Sequence, residues 1–207
     1  MLEWFKNAIA IYKWGSCVVP YIEDPHDVDY LVIYEKEDDL VDVYIPSQTE
    51  IGIHFFVICL EDLKTKNYLK FNILNKDLLK RRWKSLYELS CAPCQLVMFH
   101  WTSWVEGKKL NLKQYFNILQ DADCHKALYN ALLTSTEVLM NTYKKTGGWS
   151  KEWYYIYLAY CIFVDRTYEL PNYQIANLNK FHDLNATQED YLRFYHLIDR
   201  LGYYNLN

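Results

Sequence analysis

The run Val28–Tyr34 (VDYLVIY) constrains the fold more than any other stretch of the chain. It is apolar but for Asp29, rich in β-branched and aromatic residues, too short for a core helix, and preceded by a loop holding Pro20 and Pro25. It reads as a buried strand. Alternate side chains of a strand share a face, so Asp27 and Asp29 point the same way at its entrance while Val28 turns into the sheet. Two carboxylates a few ångströms apart repel unless a cation lies between them. A divalent ion with a preference for hard oxygen ligands, Mg2+ or Mn2+, meets that need. Ten residues separate this pair from Gly15-Ser16. A glycine there frees the backbone to turn tightly, and Ser16 with neighbouring N–H groups can hold a phosphate.

Around this strand the first part of the chain reads as α/β. Ala8–Tyr12 is a short apolar run ending at Gly15-Ser16. Val41–Ile45 and Ile51–Leu60 are further strand candidates, separated by the turn-like Pro46-Ser47-Gln48. From residue 76 the pattern becomes helical. Expected helices cover Lys76–Leu89, Cys94–Leu110 (with Val97, Trp101, Trp104 and Val105 on one face), Leu112–Leu119, Ala127–Tyr143 and Glu152–Val164. Gly147-Gly148 stops one of them. Pro171 starts another, running to about Asp183, and Thr187 with Asp190 forms a capping box for a last helix ending before Gly202. The expected fold class is α+β: a small mixed sheet in residues 1–75, then a helical bundle in 76–207.

Charge is unevenly spread along the 207 residues. Residues 1–60 carry 3 basic and 11 acidic side chains, whereas residues 61–113 carry 11 basic and 5 acidic. An acidic segment beside a basic one suits a site that gathers cations and receives polyanions, and equally suits two solvated surfaces of opposite sign. The six cysteines show no disulfide-framework spacing, no leader pattern opens the chain, and no run of about 20 apolar residues occurs. A reduced, cytoplasmic setting without membrane insertion is the expectation.

The string GSCVVPYIEDPHDVDYLVIY resembles the signature of the polymerase β-type nucleotidyltransferase superfamily: a Gly-Ser turn, about ten residues, then Asp-x-Asp at the start of a strand. The resemblance implies that Gly15 and Ser16 grip a nucleoside triphosphate and that Asp27 and Asp29 bind Mg2+ or Mn2+. It also implies a third carboxylate on a following antiparallel strand. The segment IGIHFF (Ile51–Phe56) is similar to that strand but has Gly52 where the aspartate is expected. Glu50 and His54 on the same strand face are the substitutes, with Asp42 a further one. Thr102–Leu110 (TSWVEGKKL) resembles a helical segment of some viral and uncharacterised members with a helical C-terminal half, and His125–Leu132 (HKALYNAL) is similar to another. By that resemblance Lys108 and Lys109 face the nucleotide phosphates or an acceptor. The implied reaction moves a nucleoside monophosphate from an NTP to a hydroxyl on an RNA end, a protein or a small molecule. The absent third carboxylate equally suits a relic that binds nucleotide, or a macromolecular partner, without turnover.

Other motifs carry less. Cys91 and Cys94 have the spacing of half a zinc site, but no second pair of ligands stands at matching spacing. P-loop and Gly-x-Gly-x-x-Gly patterns are missing. Lys80-Arg81-Arg82 and Lys84 around Trp83 fit nucleic-acid contact or a solvated helix face equally well.

Overall fold

The structure, a computed structural model, describes residues 2, 5–36, 39, 53–66 and 92–204. Among these it is mixed α+β, with four strands and six α-helices. The expected strand at 41–45, the expected helix at 76–89, and Asp42, Glu50, Gly52, the Lys80–Lys84 cluster and Cys91 lie outside the described residues.

Strands β1 (Ala8–Trp14), β2 (Val28–Tyr34), β3 (Ile53–Cys59) and β4 (Ser103–Gly107) form one sheet in the order β3-β2-β1-β4. The pairs β1–β2 and β1–β4 are antiparallel. The pair β2–β3 is parallel, with Asp29 in register with His54, which corrects the antiparallel direction implied for the strand after the acid pair. One sheet face holds Ile11, Val32 and Tyr34, buried with Phe5, and Tyr30, Phe55, Val57 and Val105 pack against them. On the other face the register sets Tyr12 opposite Leu31 and Trp14 opposite Asp29. A short helix, α1 (Leu60–Lys64), follows β3 directly.

Residues 94–110 depart most from expectation. They form α2 (Ala92–Leu96), a 3-10 turn (Val97–His100) and then β4, where a single helix was expected. The apolar spacing here satisfies a helical period, but Thr102, Trp104 and Val105 favour a pleated surface, and pairing with β1 decides between the two. Gly107 adopts φ +84°, and a side chain there would overlap the Ile9 carbonyl oxygen, so the strand approaches β1 too closely for any other residue. Leu112–Leu119 is likewise only a 3-10 turn (Leu112–Gln114) followed by turns.

The chain divides into two compact units. Among the described residues, the first holds everything up to Lys66 together with Met98–Phe116, and the second holds residues 92–97 and everything from Asn117 on. β4, expected in the helical part, therefore belongs with the sheet.

The second unit contains α3 (Ala122–Thr146), α4 (Trp153–Asp165), α5 (Asn172–His182) and α6 (Gln188–Tyr204). α3 starts earlier than the apolar pattern suggests, because the Asp121 side chain accepts hydrogen bonds from the N–H groups of Asp123 and Cys124 at 3.0 and 3.2 Å. It ends at Gly147, φ +71°, whose N–H donates to the Tyr143 carbonyl. α4 is the core helix. It packs against α2, α3 and α5 and is buried on nearly every side from Trp153 to Ile162.

At the start of α6 the Thr187 N–H donates to Asp190 Oδ2 at 2.9 Å, and the Asp190 N–H donates to Thr187 Oγ1 at 3.2 Å. These two bonds close the expected capping box. The helix itself runs on through Gly202. The Thr187 backbone N–H bond, and after it the bond from the Thr187 hydroxyl at 2.8 Å that an alanine would remove, hold the Asp190 carboxyl below the ordinary value of 3.8. A carboxylate with a lowered folded-state pKa adds stability that is full at neutral pH and fades as pH falls through that lowered value. Thr187→Ala is expected to cost about 1 kcal/mol in urea titrations at pH 7. The deficit should shrink in titrations below pH 3.8.

Candidate functional site

Strand β1 delivers the chain to Gly15, which opens a 3-10 turn, Gly15–Val18. Trp14, the last residue of β1, is paired with Asp29 near the start of β2. The turn therefore folds back over the entrance of the neighbouring strand. Gly15 has φ +75°, a backbone conformation that L side chains rarely adopt. A Cβ built on it would overlap Asp29 Oδ2 and lie 2.7 and 2.9 Å from Asp29 Cγ and Cβ. The Asp29 carboxylate thus sits directly against the glycine backbone. Gly15 and Asp29, fourteen residues apart in the sequence, form one packed unit.

Burial sharpens the picture. Ser16 is 3% exposed and Asp29 4%, whereas Asp27, just before β2, is half-buried. A carboxylate this enclosed persists only with compensating partners, because an uncompensated buried charge costs several kcal/mol. Cys17 belongs to the same turn, and its thiol donates to the Trp14 carbonyl at 2.9 Å. Burial pushes that thiol up, and the negative charge of Asp29 adds to the effect. At neutral pH Cys17 is therefore a neutral thiol and not a nucleophile.

Aromatic residues border the loop that joins the turn to the acids. Trp14 meets Phe99 edge-on at 5.3 Å, and Tyr21 meets Trp101 edge-on at 5.9 Å. His100 packs beside Trp101 at 5.3 Å, and burial holds its imidazole below the ordinary value, with Lys113 adding to the effect. His100 is thus neutral near pH 7. Sequence reading missed Tyr21, His100 and Trp101, because contacts between residues 80 apart leave no local periodic signal.

The structure does not bring Lys108 and Lys109 to the acids. β4 runs antiparallel to β1, and the Lys108 N–H donates to the Ile9 carbonyl at 2.7 Å. That places the lysines at the opposite end of the sheet, about 17 Å of strand from Trp14 at about 3.3 Å per residue. There Lys64, paired with Glu35 at 3.0 Å, holds the Glu35 carboxyl below its usual range, and Lys108 contributes.

Asp27 and Asp29, two residues apart at the strand entrance, are the carboxylates here that could hold a hard divalent cation, and Gly15 lets the turn close onto Asp29 as no other residue can. His54 lies in backbone register with Asp29 on β3. No protein-family model matches the chain, and no curated protein sequence matches it.

Proposed function

We propose that the sheet unit is a metal-dependent nucleotidyltransferase that moves a nucleoside monophosphate from an NTP to a hydroxyl acceptor and releases pyrophosphate. The observation that carries this reading is the packing of Gly15, at φ +75°, on the buried carboxylate of Asp29. A Gly-Ser turn alone is common, and so is an aspartate at a strand entrance. Their packing against each other supports this reading, because phosphoryl transfer needs a phosphate-binding turn beside a cation-binding acid. Asp27 and Asp29 would hold Mg2+ or Mn2+, which when bound supplies a Lewis acid for the phosphate oxygens. Gly15 and Ser16 would orient the triphosphate. The acceptor is an RNA end, a protein side chain or a small molecule.

A second reading, nucleotide binding without turnover, is favoured by Gly52 at the expected third carboxylate and by the near-complete enclosure of Ser16 and Asp29. One experiment separates the two: the whole protein with α-labelled NTPs, Mg2+ or Mn2+, and RNA or protein acceptors. Label transfer by wild type, cut at least ~100-fold in Asp29→Asn, is the expected result. Equal transfer by both proteins would sink the assignment. Triphosphate binding that ignores the metal, with no transfer, would favour the second reading.

A further inference from the structure

Among the described residues β4 is an edge strand, with β1 paired on one side and no strand on the other. Trp104, its second residue, is 45% exposed. It lies opposite Tyr12 on β1, and Trp14, two residues along β1, lies opposite Asp29 on β2. Directly opposed residues of an antiparallel pair share a face of the sheet, as do alternate residues of one strand. The exposed indole therefore stands on the face that carries Asp29. It is two strands across, about 10 Å at ~4.8 Å per strand.

The indole N–H donates to the Gly107 carbonyl at 3.2 Å, which holds the ring along the strand while nearly half of the residue stays in water. The same bond occupies a main-chain acceptor of β4, and a register shift against β1 between Ile11 and Tyr12 interrupts the ladder. Both features oppose the addition of a further protein strand. Charge along the segment is mostly positive. Residues 100–114 hold Lys108, Lys109 and Lys113, all exposed, and a single carboxylate, Glu106, which accepts from the Leu2 N–H at 2.9 Å. Toward the acid-bearing end of the sheet Trp104 is preceded by the half-buried Trp101, met edge-on by Tyr21 at 5.9 Å. Spaced flat rings that lead to a pair of lysines match bases joined by phosphates.

We infer that the outer side of β4 binds a single-stranded polynucleotide, its bases stacking on Trp104 and Trp101 and its phosphates meeting Lys108 and Lys109. The rings are tolerant of sequence, because every base offers a π-face, whereas a duplex keeps those faces within its own stack. One consequence rests on the transferase reading: this strand is the acceptor, and it narrows the acceptor to a nucleic-acid end. The end would lie at Asp29 and the rest of the strand would run to the lysines, about 17 Å of strand from Trp14.

Fluorescence anisotropy of the whole protein with labelled oligouridylate and oligothymidylate, without metal or nucleotide, tests the binding, and its two arms separate RNA from DNA. Saturable binding of at least one strand is expected, weakening with salt at a log–log slope of about −1.4 or steeper for two phosphate contacts. Replacing both lysines, Lys108→Ala with Lys109→Ala, should flatten that slope by about 1.4. Trp104→Ala, a change at an exposed position, should weaken binding about tenfold and leave the slope unchanged. Asp29→Asn should bind as wild type does, so a failed transfer assay would leave this result standing. The inference is overturned by no saturable binding of either strand, by a duplex of equal length binding as tightly, or by an unchanged affinity in Trp104→Ala. Self-association of the protein that Trp104→Ala abolishes, with no strand bound, would give the edge to protein pairing and overturn it too.

Discussion

Trp153→Ala is expected to lower the thermal midpoint of the helical signal by ~15 °C or more, at roughly 4–8 °C per kcal/mol for a unit of this size. Trp153 is fully enclosed at the first turn of α4. Its ring meets Trp149 at 6.0 Å, Tyr191 at 5.7 Å and Phe194 at 6.0 Å, all edge-on. Trp149 is itself sandwiched between Tyr143 at 3.7 Å and Tyr191 at 4.1 Å, with planes within 10°. Truncation removes the largest side chain at the meeting point of α3, α4 and α6 and leaves a cavity that stacked rings cannot collapse into. Large aromatic-to-alanine changes in cores cost about 3–5 kcal/mol, a large share of the ~5–15 kcal/mol that holds a domain folded. The control is Trp104→Ala on β4. Trp104 is 45% exposed and its indole N–H donates to the Gly107 carbonyl at 3.2 Å, so the expected shift is small. A Trp153→Ala protein melting as close to wild type as the Trp104→Ala control would contradict the central place given to this cluster.

The elements that sequence reading found are those whose signal is local. Val28–Tyr34 was legible because a continuous β-branched run has one good solution. The Thr187–Asp190 box was legible because its chemistry lies within four residues. β4 was not, because its residues satisfy a helical spacing and become a strand only by pairing with β1 some ninety residues away. The parallel direction of β3 is written in neither strand's composition. At the candidate site the same division holds. Gly15, Ser16, Asp27 and Asp29 could be singled out by spacing, but the packing of Gly15 on Asp29 could not be read. Lys108 and Lys109 stand apart from the acids for a geometric reason: an antiparallel β4 carries them to the other end of the sheet.

Gly15→Ala tests that packing directly and is expected to disrupt both fold and function of the sheet unit. The substitution meets two independent obstacles. At φ +75° an L residue is strained by about 1–2 kcal/mol wherever it occurs. The new methyl would also overlap Asp29 Oδ2, so either the turn lifts off β2 or the carboxylate leaves its enclosure. A double-mutant cycle separates the two. In an Asp29→Ala background Oδ2 and Cγ are gone, and only the 2.9 Å approach to Cβ remains. The steric part of the penalty should largely vanish there while the backbone strain persists. The expected coupling is about 1–3 kcal/mol, in the sense that Gly15→Ala costs less when Asp29 is already truncated. Urea denaturation of the four proteins, followed by near-ultraviolet signals from Trp14 and Trp101, measures it. Additive penalties would mean that turn and acid do not touch. The proposed transferase would then lose its main support, because a phosphate turn and a cation-binding carboxylate that move independently cannot act on the same phosphate.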